Sequence, residues 1–238
     1  MNTTPVDLAP IAGGIWRSVL RPHCNTILVP ALFLDRDGVI VEDTGYLHRA
    51  EDVRLLPGAA RLIAEANARS IPVVVVTNQA GVGRGYYGWD DVCAVVERIL
   101  DLLAEEGAVL DAVYACPHHR DALPPYQHDN HPARKPNPGM LLQAAEDLNL
   151  DLSGSWLIGD QEADLRAAVA AGLAGAIHVR TVHGEGERVQ ALSPHTTTLM
   201  VAEDIRAAMG LLSPLTDSYD PRPNRRTGSS AKDDFNGL

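Results

Sequence analysis

The sequence predicts an α/β fold built on a doubly wound parallel sheet. Short apolar runs rich in β-branched residues alternate along the chain with longer segments of helical character. Strands that alternate with helices form a mostly parallel sheet covered by helices on both faces. Ligands bind beyond the carboxyl ends of the strands in such sheets. Here the residues of greatest chemical interest directly follow the predicted strands.

The predicted elements follow one another regularly from residue 31 onwards. We expect strands at 31–34, 71–76, 109–115, 155–158 and 175–179, and a further short strand at 199–202. We expect helices at 57–69, 89–106, 138–149, 162–171 and 204–212. Pro138 suits the first turn of its helix, because the N–H that proline lacks has no helical partner there. A long loop at 116–136, rich in His, Pro, Asp and Asn, interrupts the pattern.

We divide the chain into an N-terminal extension at 1–29, one folded domain at 30–213 and a disordered tail at 214–238. The 238 residues are enough for a single domain with a full core. The extension lacks the basic start and long apolar run of a signal peptide. The tail is rich in Pro, Asp, Arg, Asn, Gly and Ser, a composition that buries little surface.

Charge and cysteine content exclude several classes of protein. The net charge of −11 argues against a general nucleic-acid or membrane-surface role, because both require basic faces. The three cysteines, Cys24, Cys93 and Cys116, are too few and too scattered for a disulfide framework. No run approaches the 18 apolar residues that a membrane span needs. We therefore expect a monomeric protein of the cytoplasm.

Two carboxylates follow the first predicted strand, in the motif Asp35-Arg36-Asp37-Gly38. Acids two residues apart can share one metal and still act differently, one as a nucleophile and the other as a general acid. Gly38 allows a tight turn that brings the backbone close to a ligand. Taken alone, the motif is also compatible with an acidic turn on the surface.

Polar groups follow the second predicted strand and the long loop. Thr77, Asn78 and Gln79 offer a hydroxyl and N–H groups that can hold phosphate oxygens, although Thr and Asn are also ordinary helix caps. Arg134 and Lys135 can form a cationic clamp on a transferring phosphoryl group, or a solvated surface pair.

Asp160 and Asp164 lie where the fourth predicted strand gives way to a helix. Their oxygens suit Mg²⁺, although Asp160 alone could simply cap the helix. The four motifs occur in order at the carboxyl ends of predicted elements that converge on one crevice. Their joint occurrence predicts an active site that none of them indicates alone.

The four motifs resemble those of the haloacid dehalogenase superfamily. The matching strings are Asp35-x-Asp37-Gly38, Thr77-Asn78, Lys135-Pro136 and Gly159-Asp160-x-x-x-Asp164. Longer strings at 33–40, 76–85, 116–119 and 134–140 are similar to the branch that contains heptose-bisphosphate and histidinol-phosphate phosphatases. The resemblance covers about residues 31–180. It implies a Rossmann-like core with loop insertions, a small or absent cap, and a magnesium-dependent phosphomonoesterase.

The resemblance also assigns roles to residues. Asp35 would become the aspartyl-phosphate and Asp37 would be the acid and base. Mg²⁺ would be held by the Asp35 carboxylate, the Asp37 backbone carbonyl and Asp160, while Thr77 and Lys135 would bind the phosphoryl group. The residues expected to contact the substrate are Asp43, Gly45, Tyr46, Thr77, Asn78, Gln79, Arg134 and Lys135. Asp164 would support Lys135 or the metal indirectly.

The expected substrate is a small phosphorylated sugar. The resemblance implies a heptose 1,7-bisphosphate, from which the 7-phosphate is removed. Histidinol phosphate or another small sugar phosphate is the alternative substrate, and a non-catalytic phosphosugar-binding protein is the alternative function. The acidic overall charge means that local cations and metal must meet the phosphate.

The long loop raises the question of a second metal. In the resembling family this loop carries a structural zinc bound by a Cys-x-His pair and a later Cys-x-Cys pair. Here Cys116 and His118 match, His131 replaces a cysteine, and Ala133 removes the fourth ligand. Both a zinc site of Cys116, His118 and His131, with His128 as a possible fourth ligand, and a metal-free polar loop stay open.

Overall fold

A twisted central sheet determines where the polar residues of the chain meet. The computed structural model describes residues 8–22, 27–180, 197–212 and 215. In that part of the chain, eight strands form one sheet in the order β1-β2-β5-β4-β3-β6-β7-β8. The strands are β1 (Ala9–Ile11), β2 (Ile15–Val19), β3 (Leu32–Leu34), β4 (Val73–Asn78), β5 (Ala112–Cys116), β6 (Trp156–Gly159), β7 (Gly175–Val179) and β8 (Thr198–Ala202). Strands β3 to β8 pair in parallel, which confirms the predicted fold class.

Helices cover both faces of this sheet. They are α1 (Ala59–Ala68), α2 (Ala80–Gly83), α3 (Trp89–Glu105), α4 (Gly139–Leu148), α5 (Glu162–Ala171) and α6 (Ile205–Gly210). Successive strand residues point to opposite faces. Leu32 and Leu34 therefore join the apolar core that contains α1, α3 and α6, while Phe33 joins the core under α4 and α5. Among the described helices, none is long and apolar enough to cross a membrane.

The second and third predicted strands lie slightly later in the chain than the sequence suggests. The prediction of 71–76 becomes β4, and 109–115 becomes β5. Pro72 cannot donate to the ladder and so precedes the strand. The buried Asp111 makes two hydrogen bonds with the backbone of Val73. Its Oδ2 accepts from the Val73 N–H at 2.7 Å, and its own N–H donates to the Val73 carbonyl at 2.8 Å. As a result, β4 ends at Asn78, and the polar residues Thr77 and Asn78 are part of the strand.

An N-terminal hairpin, β1–β2, extends the sheet beyond β5. Strand β2 pairs with β5 in antiparallel fashion, and β1 pairs with β2 in the same way. Trp16 stacks on Trp89 of α3 with ring centroids 4.0 Å apart, and Arg17 forms an ion pair with Asp147 of α4. These two strands are not predicted from the sequence, because residues 1–29 carry no clear alternating pattern.

The C-terminal part of the domain follows the prediction closely. Strand β8 precedes α6, whose N-terminus is capped by Asp204 through a hydrogen bond from the Ala207 N–H at 2.8 Å. Leu215 is buried in the same core as α6. The remainder of the predicted tail at 214–238 lies outside the described residues.

Replacement of Asp111 by alanine should lower the free energy of unfolding. The variant leaves the buried Val73 N–H without an acceptor, which costs about 1–3 kcal/mol. Urea unfolding of Asp111→Ala and of Asp101→Ala, an exposed acid on α3, gives the comparison. We expect the control to stay within about 0.5 kcal/mol of the wild type. Equal stability of the two variants would show that the hydrogen bonds between Asp111 and Val73 do not stabilise the fold.

Candidate functional site

The carboxyl ends of β3, β4 and β6 meet at one cleft with a volume of about 480 Å³. The predicted site residues in its wall are Asp35, Asp37, Asp43, Gly45, Thr77, Asn78, Arg134, Lys135 and Asp160, and Asp164 joins them. Parallel strands end at the same edge of a sheet, which explains this convergence. Two predicted residues, Tyr46 and Gln79, lie beside the cleft and not in its wall.

A buried lysine stands at the centre of the cleft. The Lys135 ammonium lies 2.9 Å from Asp35 Oδ1 and 2.5 Å from Asp164 Oδ1, and it donates to the Val76 carbonyl at 2.8 Å. Burial alone would lower the pKa of Lys135, but the adjacent Asp164 and Asp35 carboxylates outweigh burial and raise it. The lysine is therefore a permanent cation. Burial raises the pKa of Asp35 to about 7, against the opposing effect of Lys135.

Three buried carboxylates, from Asp35, Asp160 and Asp164, form a candidate cation site. Their oxygens lie within 4.8 Å of one another, and no other such group of three occurs in the part of the chain that the structure describes. Three acids against one ammonium leave a surplus of negative charge, and Mg²⁺ prefers oxygen ligands. The donor set therefore fits a hard divalent cation.

Two glycines allow the carboxylates to approach the strand ends. Gly38 has a φ of +77°, and a Cβ there would lie 2.3 Å from Asp160 Oδ2. A Cβ on Gly159, at the end of β6, would lie 2.2 Å from the Asp164 Cβ. Any other residue at either position would push an acid away from the cluster.

The second carboxylate of the first motif is held by its neighbours. Arg36 is buried, and its Nε and Nη2 donate to Asp37 Oδ1 at 3.1 and 2.9 Å. Gln79 Nε2 donates to Asp37 Oδ2 at 3.3 Å and to Thr77 Oγ1 at 2.9 Å. The Gln79 amide oxygen in turn accepts from the Tyr87 hydroxyl at 2.9 Å. Gln79 thus contacts Asp37 and Thr77 and is not free to face the cleft.

Reciprocal hydrogen bonds tie the lysine-bearing loop to β4. The Lys135 N–H donates to Asn78 Oδ1, and Asn78 Nδ2 donates to the Lys135 carbonyl, both at 3.1 Å. Arg134 Nη1 donates to the His118 carbonyl at 3.1 Å. Because only one of the guanidinium nitrogens is used in that contact, the rest of the fork can meet an anion.

Of the substrate-contacting residues predicted at 43–46, Asp43 and Gly45 line the cleft. Asp43 Oδ1 accepts from the Gly45 N–H at 2.8 Å, which closes a tight turn. Gly45 has a φ of +88°, a conformation that favours glycine. Tyr46 is part-exposed, and its hydroxyl accepts from Arg84 Nη1.

Two contributors to the site, Arg36 and Tyr87, are absent from the residues that the sequence predicts, although Arg36 lies between Asp35 and Asp37. Asp164, which the family resemblance assigns to the support of Lys135 or the metal, lies 2.5 Å from the Lys135 ammonium and also contributes a carboxylate to the acidic cluster. Its place four residues after Asp160, in the first turn of α5, is the sequence signal for this role.

The expected zinc ligands of the loop are not assembled. The imidazoles of His118 and His131 stack face to face, with centroids 3.6 Å apart and planes 3° from parallel. Imidazole lone pairs lie in the ring plane, so parallel rings cannot both direct them at one tetrahedral ion. The Ala133 N–H also donates to His131 Nδ1 at 3.1 Å, which occupies that nitrogen.

The sulfur and the remaining histidine do not complete a zinc site either. Cys116 is fully buried in the apolar cluster that also contains Ile15 and Ala133. The ring of His128 stands nearly perpendicular to that of His131, with centroids 4.9 Å apart. The residues present therefore do not fit a closed zinc site, and the expectation of zinc is not supported.

Chemically, the cleft combines a carboxylate that could act as a nucleophile, a fixed cation and a candidate divalent-cation site. Asp35 faces the cleft with Lys135 at hydrogen-bond distance, so negative charge that develops on a group bound there would be stabilised. Asp37 lies in the same wall and can exchange a proton with a bound molecule. This set suits transfer of an anionic group such as phosphoryl.

Comparisons with known proteins agree with that chemistry. The family model described as HAD-hydrolase-like matches residues 132–208. A D-glycero-beta-D-manno-heptose-1,7-bisphosphate 7-phosphatase from Mesorhizobium japonicum is 48% identical over 166 residues, covering 68% of this chain and 74% of that protein.

Two solved structures are similar over most of their length. A putative HAD-like phosphatase from Mesorhizobium loti has a TM-score of 0.79 and 40% identity, and the match covers 91% of this chain and 99% of that one. The D,D-heptose 1,7-bisphosphate phosphatase from B. bronchiseptica, complexed with magnesium and phosphate, has a TM-score of 0.66 and 34% identity. That match covers 77% of this chain and 98% of the other.

Replacement of Lys135 by methionine should destabilise the protein in a pH-dependent way. The change leaves buried carboxylates without their cation, and we expect a loss of about 3–5 kcal/mol at pH 8. A carboxyl whose pKa is raised in the folded state, as at Asp35 with about 7, binds protons on folding. Because Lys135 lowers the pKa of Asp35 against the effect of burial, its removal should raise that pKa above about 7, and the stability of the variant should recover as the pH falls through the raised value towards about 4, the value in the unfolded chain.

Chemical unfolding of metal-free protein at several pH values measures this effect. Arg166→Ala, which removes an exposed ion pair with Glu162 on α5, is the matched control and should cost less than about 1 kcal/mol. A Lys135→Met loss that is the same at pH 5 and pH 8 would contradict the assigned charges.

Proposed function

Because the chain belongs to the haloacid dehalogenase-like hydrolases, and among them to the family of the heptose-1,7-bisphosphate 7-phosphatases, we propose that it hydrolyses a sugar phosphate through a phosphoryl-enzyme on Asp35. The observation that carries this proposal is the contact between Asp35 Oδ1 and the Lys135 ammonium at 2.9 Å, inside the cleft. The lysine fixes the orientation of the carboxylate and offsets the charge of an approaching phosphate.

The reaction takes place in two steps. The free Asp35 oxygen attacks phosphorus, and the bond between phosphorus and the sugar oxygen breaks. The sugar alkoxide takes a proton from Asp37, which is required because an alkoxide is a poor leaving group. Asp37 then accepts a proton from water, whose oxygen attacks phosphorus and releases Asp35 and inorganic phosphate. Thr77 and Lys135 hold the phosphoryl oxygens throughout.

Asp37 must leave part of its hydrogen-bond network to act as an acid. Its carboxylate is paired with the guanidinium of Arg36. In the conformation described here both oxygens of Asp37 accept hydrogen bonds, so one of these contacts must open before Asp37 can give a proton to the sugar. Gln79 donates to both Asp37 and Thr77 and so links the acid to the phosphoryl-binding hydroxyl.

Mg²⁺ is the cation that best fits the carboxylate cluster. Asp35 and Asp160 would hold it, with the Asp37 backbone carbonyl as expected from the family resemblance. Asp164, already 2.5 Å from Lys135, would balance the charge beside it. When bound, the ion supplies neutralisation of charge on the phosphoryl group. The magnesium and phosphate bound in the B. bronchiseptica structure support this proposal.

The substrate that we favour is a heptose 1,7-bisphosphate, cleaved at the 7-phosphate. The M. japonicum relative is named for that activity. In this chain Arg134 lies next to Lys135 in the cleft wall, so it can bind the distal phosphate while Lys135 binds the reacting one. Histidinol phosphate remains the second candidate, because the acidic Asp43 in the same wall would suit a cationic amine.

Phosphate release tests the proposed function directly. Purified protein should release phosphate from a heptose 1,7-bisphosphate faster than from histidinol phosphate, each assayed with and without EDTA. EDTA should abolish turnover and Mg²⁺ should restore it. Asp35→Asn should keep less than about 1% of the wild-type kcat, a loss of roughly 3 kcal/mol or more, because an amide does not attack phosphorus. Turnover by Asp35→Asn near the wild-type rate would exclude the covalent route.

Arg134→Ala should discriminate between substrates with one and two phosphates. A charged hydrogen bond of about 1.5–3 kcal/mol is lost only with the bisphosphate, so its kcat/KM should fall roughly 10- to 100-fold. We expect less than about a threefold change for the heptose 7-phosphate. Arg120→Ala, an exposed arginine in the same loop, is the control and should change neither. Equal losses for both substrates would show that Arg134 does not contact the distal phosphate.

A further inference from the structure

We propose that the N-terminal hairpin β1–β2 clamps the loop at 117–138 through Gly14, and thereby positions Arg134 for the substrate. The hairpin would hold this loop in place, as a bound metal would do if four ligands were present. The part that concerns Arg134 rests on the proposed function, whereas the clamp itself does not. Gly14 is thus a positioning residue and touches neither substrate nor metal.

The contact itself is close and involves both stacked histidines. A Cβ on Gly14 would lie 2.6 Å from His118 Nε2 and 2.8 Å from Cε1 and Nε2 of His131. Real side-chain carbons do not approach other heavy atoms so closely, so a side chain at this position would force one or both rings to shift. Gly14 also has a φ of +71°, which favours glycine.

The hairpin is anchored firmly enough to act as a clamp. The β2–β5 ladder runs from Trp16 opposite Ala115 to Val19 opposite Ala112, and Trp16 stacks on α3. Ile15, next to Gly14, is buried in the same apolar cluster as Cys116 and Ala133. Two of the positions that would carry zinc ligands are therefore part of an apolar core that the hairpin completes.

A short chain of contacts leads from the two histidines to Arg134. The His118 carbonyl accepts from Arg134 Nη1 at 3.1 Å. The His131 carbonyl accepts from the Arg134 N–H at 2.9 Å, and the next residue is Lys135. A displacement of the two histidines that reaches their backbone would therefore move the backbone and the guanidinium of Arg134 together. Misplacement of a substrate-binding group by about 1 Å can cost as much as 100-fold in rate.

The hairpin contains a matched control for this contact. Gly13 has a φ of +80°, so alanine there carries the same kind of backbone strain as alanine at Gly14. Nothing lies within 4 Å of a Cβ on Gly13, however. A comparison of Gly14→Ala with Gly13→Ala therefore isolates the contact with the histidines from the general effect of alanine in the hairpin.

Hydrogen exchange and kinetics of the full chain test the proposal. In Gly14→Ala, amides at 117–138 should exchange at least about tenfold faster than in the wild type, while those of Gly13→Ala should not. Gly14→Ala should also lower kcat/KM for the heptose bisphosphate by roughly tenfold, mainly through KM, and much less for the 7-phosphate. Exchange needs no substrate, so it tests the clamp even if the enzyme prefers another phosphate ester.

Each outcome supports or overturns the proposal. Unchanged exchange in Gly14→Ala means that the loop holds itself. Faster exchange without the difference between substrates removes the link to Arg134. Wild-type protein provides a second test that does not depend on recovery of folded variants: loop exchange should be the same before and after EDTA, and with added Zn²⁺. If the protein contained one equivalent of zinc, and removal of that zinc increased the hydrogen-exchange rate of the loop, then the metal and not the hairpin would hold the loop.

Discussion

A buried ammonium surrounded by buried carboxylates is the constraint on which the rest of this site depends. Lys135 lies at 2.9 Å from Asp35 and 2.5 Å from Asp164, and each of these groups would cost several kcal/mol to bury alone. The end of β3, the first turn of α5 and the loop that carries the lysine must therefore keep fixed positions relative to one another. The reciprocal hydrogen bonds between Asn78 and the Lys135 backbone meet this requirement on the side of β4.

The same constraint explains why the backbone, and not side-chain packing alone, determines the geometry of the cleft. The acids can gather around one cation only if Gly38 and Gly159 leave room for Asp160 and Asp164. Asp37, in the same cleft, is kept out of the cluster because it is paired with the guanidinium of its neighbour Arg36. The first motif thus supplies two acids with different surroundings, one held by a lysine and one by an arginine, which suits them to different roles.

The sheet and most of the cleft could be predicted because their signals are local. Apolar runs locate the strands, and the rule that ligands bind at the carboxyl ends of parallel strands brings Asp35 and Asp160 together. The directions in which side chains point could be predicted less well from the sequence. Gln79 turns towards Asp37 because Tyr87 and Thr77 complete its hydrogen bonds, a tertiary arrangement that spacing does not encode. The orientation of the loop histidines likewise depends on Gly14, which is distant in sequence.

An acidic chain that binds a phosphorylated molecule must do so through short-range contacts. The net charge of −11 opposes the approach of an anion, but at physiological salt charges beyond about 8 Å are largely screened. Inside the cleft the balance is set by the groups within a few ångströms, where Arg134 and Lys135 are adjacent. Their effect depends on direction as well as charge, because a guanidinium fork binds phosphate well only when both N–H groups face it. Recognition therefore rests on the order of the loop that carries these two cations, and so on whatever holds that loop in place.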